Sequence, residues 1–348
     1  MREVLGDLER WVEAGRPTAL VTLVSVEGSA PRQPGARLAV TDSGLMSGSI
    51  SGGCVESDLL ERGRRVLETG RPESATYPLS TEEEMAVGLG CGSIDVFIEA
   101  YRPCAASRAV AAAVTAERRA VLATVLDGED AGRKLAIVDG QRSGSLGKVL
   151  DRELAGEAEG LNPEGECRLL DKGQGRVLLE LFAPRPLLVV VGATHVAVHL
   201  CRMATEAGLR VVVIEPRAAF ARDQRLVADE VIEKWPADAL ASVELGDNSS
   251  LVTLTHDAKF DIPALTTAIR ARIPYVGAIG SRVTHERRKL RLAEEGLSAG
   301  QIAGVRSPVG LDIGSRDPAG IAISILSEIL ATRHGRSGGS LRDRRPGH

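Results

Sequence analysis

Apolar and polar positions along this chain follow two rhythms, and the change between them falls near residue 184. In the first stretch, amphipathic spacing predicts helices over 3–14 and 55–68, and short apolar runs predict strands over 19–26, 36–40 and 93–101. Between the second strand and the second helix lies a glycine-dense turn, SGSISGGC, at 47–54. The same order recurs downstream: helix 107–117, strands 120–127 and 134–140, the turn SGSLG at 143–147, helix 148–158 and strand 175–182. Both series close on an apolar strand that carries a glutamate, VFIE at 96–99 and VLLE at 177–180. The pattern predicts a duplicated α+β unit in which only the first copy keeps the glycine–cysteine turn.

Past residue 184, continuous apolar runs at 187–191, 210–214, 251–255 and 275–279 alternate with helical spacing, beginning with a helix over 196–207. Strands buried on both faces have this pattern, so a Rossmann-like, doubly wound parallel sheet is predicted. Between the two rhythms, Ala183-Pro184-Arg185-Pro186 forbids helix and favours an extended connector. The predicted fold class is therefore α/β. An N-terminal α+β domain covers 1–183, a linker 184–186, a Rossmann-like domain 187–334 and a disordered, glycine- and arginine-rich tail 335–348.

Composition narrows the function classes. The 348 residues are 43% hydrophobic and 26% charged, ordinary for a soluble chain of about two domains. No apolar run approaches the roughly 20 residues needed to span a bilayer, and the N-terminus has the pattern of a charged amphipathic helix, so a cytoplasmic protein without membrane association is expected. A net charge of −4 and an aromatic content of 3% do not supply the basic grooves and stacking platforms of nucleic-acid binders. The five cysteines, at 54, 91, 104, 167 and 201, are odd in number and show no zinc-ligand spacing. A framework of structural disulfides is not expected either.

Cys54 leads the candidates for chemistry. It follows Gly52 and Gly53 and opens a predicted helix, where unpaired amides and the helix dipole favour thiolate over thiol. The glycines also let a bulky ligand approach the backbone. The plainer reading, a buried cysteine serving as a small hydrophobe, has no need of such a turn. Cys91, within GLGCG at 88–92, repeats the theme of a thiol among glycines. It is either a partner of Cys54 at a soft metal centre or sulfur relay, or a buried residue in a tight turn.

In the second stretch, Gly192-Ala193-Thr194-His195-Val196-Ala197 stands directly after a strand and opens a helix, where a dinucleotide fingerprint belongs. Gly192 suits the tight turn and Ala197 close helix packing, but Thr194 replaces the glycine that admits a pyrophosphate, leaving its hydroxyl as a donor. Glu215, 23 residues after Gly192, stands where an acidic residue grips a ribose. His256-Asp257, Ser281-Arg282 and Asp312 lie just past strand ends or before the last helix, where ligands bind in open sheets. Helix capping is the alternative for Asp257, and Arg282 suits a phosphate clamp. Asp317-Pro318 reads as a cap followed by the first helical residue. His195 and His256 are not a metal pair, since no carboxylate or thiol stands at diagnostic spacing from either.

Taken together, GSAPR (28–32), PGA (34–36), SGGCVE (51–56) and GCG (90–92) in the first stretch, with HVA (195–197), LTHD (254–257), YVGAIGSR (275–282) and SPVGLDIG (307–314) in the second, resemble the XdhC/CoxI family. Its members are accessory proteins of xanthine dehydrogenase and of carbon monoxide dehydrogenase-type molybdenum hydroxylases. The resemblance reaches to about residue 334. It implies a chaperone that binds the molybdopterin cofactor, protects it while a cysteine desulfurase supplies the terminal sulfido ligand, and hands it to the molybdenum hydroxylase apoenzyme. It further implies Cys54 as the cofactor-contacting thiol and soft ligand to molybdenum, Gly52 and Gly53 as room for the pterin, and a homodimer. Family members show GAGH where this chain has Gly192-Ala193-Thr194-His195. Two other readings stand beside it. One is an NAD(P)-dependent oxidoreductase using the Rossmann-like half, with Cys54 or His256 near the substrate. The other is a docking scaffold without small-molecule affinity.

Overall fold

The computed structural model describes residues 1–28, 30–53, 55–78, 92–162, 165–172 and 175–343. The chain divides into two compact units, Met1–Pro184 and Arg185–His348. In the first, α1 (Arg2–Glu13), β1 (Thr18–Gly28), β2 (Arg37–Thr41), β3 (Met46–Gly48), α2 (Glu56–Thr69), β4 (Glu73–Pro78) and β5 (Gly92–Ala100) form one series. The second series is α3 (Ala105–Thr115), β6 (Ala120–Val125), β7 (Lys134–Val138), β8 (Gln141–Gly144), α4 (Lys148–Glu159), β9 (Glu166–Asp171) and β10 (Arg176–Phe182). Each series builds a five-stranded antiparallel sheet, in the orders β3-β2-β1-β5-β4 and β8-β7-β6-β10-β9. The orders match term by term, and so does the register. Thr22 lies opposite Arg37 in the first sheet as Thr124 lies opposite Lys134 in the second.

Four strands of this first unit were not legible in the apolar pattern: β3, β4, β8 and β9. All are sheet neighbours on one side only, and β3, β4 and β8 leave many of their side chains exposed or half-buried. Such edges are held mainly by main-chain hydrogen bonds and have no apolar stripe to announce them.

One face of the first sheet packs on α2 through Val21, Leu38, Val40, Leu59 and Val66, and one face of the second packs on α4 through Val121, Leu135, Leu154 and Leu179. The two sheets also share a layer with α1 and α3, to which they contribute Leu20 and Ala39, and Leu122 and Ala136, respectively. Two buried ion pairs cross from sheet to sheet. Glu180 of β10 meets Arg37 of β2 at 2.8 Å, and Glu99 of β5 meets Lys134 of β7 at 2.6 Å. The two glutamates that close the repeated series are thus partners of the cations that open the other series' second strand.

The second unit alternates β11 (Leu187–Val191), α5 (His195–Glu206), β12 (Arg210–Ile214), α6 (Ala218–Ala221), β13 (Glu230–Ile232), α7 (Pro236–Leu240), β14 (Ser249–Thr253), α8 (Ala258–Arg270), β15 (Tyr275–Ala278), α9 (Arg282–Glu294), α10 (Ala299–Ala303) and α11 (Pro318–Arg333). The strands are all parallel, in the order β13-β12-β11-β14-β15. This is the doubly wound Rossmann arrangement. Alternate residues of β11 feed two separate cores, Val189 and Val191 into one and Leu188 and Val190 into the other, which is why the strand reads as unbroken apolar sequence. Asp317 caps α11 by accepting from the Gly320 amide at 2.9 Å, with Pro318 as the first helical residue. Of the tail expected to be disordered, residues 335–343 are described and carry one short 3-10 turn, Leu341–Asp343. No described helix is long and apolar enough to cross a membrane.

Candidate functional site

Cys54 and Cys91 lie outside the described residues, and the turn that leads to Cys54 is described up to Gly53 and again from Val55. That turn is organised by Glu56, the first residue of α2. Its Oε1 accepts from the Ser49 hydroxyl (2.9 Å) and from the amides of Ile50 (3.1 Å), Ser51 (2.9 Å) and Gly52 (3.2 Å). Its Oε2 accepts from the Ser51 hydroxyl (2.7 Å) and from the amides of Gly53 (2.9 Å) and Val55 (3.2 Å). Burial pushes this carboxyl up, but the hydrogen bonds from Ser51, Ser49 and Ile50 outweigh it and hold Glu56 well below the usual carboxylate range. These amides, expected to be free to favour a thiolate, are thus already taken by the protein's own carboxylate. The glycines keep their part. Gly52 and Gly53 are exposed at φ of +82° and +125°, and a Cβ on either would meet nothing within 4 Å among the described residues. The second series keeps a reduced form of the device, in which Asp151 accepts from the Ser145 hydroxyl at 2.6 Å and the Leu146 amide at 2.7 Å.

Among the described cysteines, the one at a helix start is Cys104. Its sulfur caps α3 by accepting from the Ser107 amide, while the Ser107 hydroxyl accepts from the Cys104 amide. The side chain is exposed, and the Ser107 hydrogen bonds together with the Lys134 charge bring the thiol below its ordinary value against the effect of burial. Burial pushes Cys167 and Cys201 up to about 12. Timed iodoacetamide treatment of the native protein near neutral pH, followed by peptide mass spectrometry, is expected to modify Cys104 well ahead of Cys167 and Cys201. Equal rates would contradict these environments.

In the second unit, strand order reverses between β11 and β14, the position at which open α/β sheets bind ligands. A crevice of about 620 Å³ opens there, lined among others by Thr194, His195, Arg217, His256, Asp257 and Phe260. Gly192, at φ +98°, makes the turn out of β11, and a Cβ on it would lie 2.4 Å from Thr255 Cγ2. Gly192→Ala is therefore expected to cost about 1–3 kcal/mol, seen as a lowered thermal midpoint. An unchanged midpoint would show that Thr255 yields.

Several sequence candidates have settled roles here. Thr194 caps α5, its hydroxyl accepting from the Ala197 amide at 3.4 Å, and Ala197 is buried against the core. Glu215 is fully buried, accepting from the Ala193 amide at 3.0 Å and from the Arg217 guanidinium at 2.7 Å on each oxygen, so a ribose there would have to displace Arg217. Asp257 caps α8 through the Lys259 amide at 2.9 Å. Ser281 caps α9, and neither it nor Arg282 nor Asp312 lines the crevice.

Sequence reasoning missed Arg217, which stacks on Phe220 at 4.2 Å, and the buried pair Asp261–Arg288 at 2.8 Å. Burial pushes Asp261 up, and its hydrogen bonds from Thr255 and Arg288 offset this only in part. Arg288 also donates to the Ile279 carbonyl at 3.0 Å, and Thr255 to Asp261 at 2.6 Å, tying together the chain that leaves β14 and β15. The signal for Glu56 was an acidic residue opening a helix after the glycine turn, with an acidic counterpart in the second series. No group of three or more His, Cys, Asp or Glu side chains among the described residues is placed to hold a metal ion.

Comparison with known proteins agrees with this architecture. The profile described as the XdhC Rossmann domain matches residues 188–329, and that of the XdhC and CoxI family matches residues 11–78. A Bacillus subtilis (strain 168) protein described as a probable subunit of xanthine dehydrogenase is 26% identical over 337 residues, covering 94% of this chain and 96% of the relative. The molybdenum cofactor insertion chaperone PaoD of Escherichia coli (strain K12) is 25% identical over 328 residues, covering 92% and 85%. A solved structure described as a xanthine dehydrogenase from Bacillus halodurans shares the fold, with a TM-score of 0.76 at 24% identity over 97% of this chain and 98% of the other. With both of its units matched in this way, the chain belongs to the XdhC and CoxI family.

Proposed function

We propose that this protein binds the molybdenum cofactor as cargo, shelters it while a cysteine desulfurase supplies its terminal sulfido ligand, and passes it to a xanthine dehydrogenase-type apoenzyme. Binding and transfer suffice for this role, and no turnover of its own is required. The observation that carries the reading is the open turn at 49–53, held by Glu56 and leading into Cys54. A thiolate is a soft ligand suited to molybdenum–sulfur chemistry. The two exposed glycines leave room for a large flat guest beside it. The description of PaoD as an insertion chaperone supports the same role. When cofactor-loaded protein is mixed with a cofactor-free xanthine dehydrogenase-type enzyme, wild type is expected to restore activity and Cys54→Ser to do so about tenfold less well or worse. Equal restoration would refute the role of Cys54.

The crevice at the β11/β14 switch point favours a second, compatible reading, nucleotide binding by the second unit. An NAD(P)-dependent oxidoreductase built on it would oxidise NAD(P)H with or without Cys54. Thr194 at the phosphate turn and the engagement of Glu215 with Arg217 weigh against that form of the reading.

A further inference from the structure

We propose that the second unit carries a phosphate site away from its glycine turn, in a basic pocket between α8 and α9 beside the crevice. The pocket has a volume of about 180 Å³ and is lined by His256, Asp261, Thr284, Arg287, Arg288 and Arg291, among others. That is below the roughly 300–1,000 Å³ of a site for a whole small molecule, so it takes a group rather than a ligand body. The neighbouring crevice, at about 620 Å³, is within that range, and His256 lines both.

Charge selects the group. Asp261 is the acidic residue on the wall, and its carboxylate is engaged by Arg288 at 2.8 Å and Thr255 at 2.6 Å. The side chains of Arg287 and Arg291 make no hydrogen bond or ion pair among the described residues. They stand one turn apart on α9, where like charges repel. Other arginines of this protein are matched to carboxylates, among them Arg65 to Glu73, Arg176 to Asp127 and Arg225 to Asp223, whereas Arg287 and Arg291 share one small concavity without such a match. An unmatched guanidinium pair in a concavity whose floor is fixed by Arg288 suits an anion with several acceptor oxygens.

The glycine turn, where a Rossmann domain ordinarily holds phosphate, has several of its donors engaged within the protein. The Ala193 amide goes to Glu215, the Thr194 amide to the Gly192 carbonyl and the Ala197 amide to the Thr194 hydroxyl. The cationic donors thus lie on the opposite side of the crevice, over α8 and α9. The group bound is a phosphate, free or at the end of a molecule whose body fills the crevice. This assignment is independent of Cys54.

Calorimetric titration of the full-length protein at low salt with inorganic phosphate and with adenosine 5′-monophosphate tests it. Wild type is expected to bind phosphate saturably, Arg287→Ala/Arg291→Ala about tenfold or more weakly, and Cys54→Ser as wild type does. Tighter binding of the nucleotide than of phosphate, with both weakened in the double variant, assigns the pocket to the end of a larger ligand. Equal binding of the two, again weakened, assigns it to free phosphate. No saturable phosphate binding by wild type, or equal affinity in the double variant, overturns the proposal. Matching thermal midpoints of the variants and wild type verify that folding is intact.

Discussion

Truncating Glu180 to alanine is expected to destabilise the first unit by about 3–5 kcal/mol, the cost of leaving one member of a buried ion pair alone. Glu180 and Arg37 are each 2% exposed, and Arg37 Nη2 donates to both carboxylate oxygens, at 2.9 and 2.8 Å. Arg37 Nε and Nη1 have no partner among the described residues, and the face of Phe182 lies 5.4 Å from the guanidinium. Replacing both residues with apolar ones, Arg37→Met together with Glu180→Leu, is expected to recover most of the loss, since desolvation offsets much of the attraction within such a pair. Urea unfolding gives the comparison: a lowered midpoint in Glu180→Ala and a midpoint near wild type in the double variant. A single variant within about 1 kcal/mol of wild type would mean that solvent reaches Arg37. The related Lys134–Glu99 pair, 9% and 11% exposed, should cost less to break.

Glu56→Ala is expected to impair function as strongly as Cys54→Ser. It removes the acceptor of five described backbone amides and two hydroxyls, costing about 2–3 kcal/mol by the usual worth of hydrogen bonds to a charged group, since the exposed glycine amides can turn to water. The greater loss is order in the segment that leads to Cys54, so retained cofactor should fall about tenfold or more. Because the folded carboxyl titrates below its unfolded value of about 4.3, its contribution is complete above that pH and is lost as pH falls toward the folded value. Wild type should therefore lose more stability than Glu56→Gln between about pH 5 and pH 3, read by urea unfolding at each pH. Parallel losses would show that the carboxylate does not hold the turn.

The repeat in the first unit was legible because turn glycines, serines and a closing glutamate recur at matching places in both series. The doubly wound sheet was legible because buried parallel strands such as β11 are apolar throughout. The ion pairs were not legible. Arg37 and Glu180 are 143 residues apart, and only the facing of two sheets brings them together. A one-dimensional pattern also says which residue types can meet at a turn, not which acceptor arrives first. Glu56 therefore occupies the amides expected to greet a guest, and Arg217 occupies the carboxylate expected to hold a ribose. Arg287 and Arg291 stand in no sequence motif, and only the structure brings them together in one concavity.

Molybdenum retained per chain, after full-length protein is mixed with purified molybdenum cofactor and passed through a desalting column, tests cargo binding at the SGGC turn. Wild type should hold close to one equivalent, while Cys54→Ser and Glu56→Ala should each hold about a tenth of that or less. Equal retention by wild type and Cys54→Ser would contradict a cargo site at Cys54.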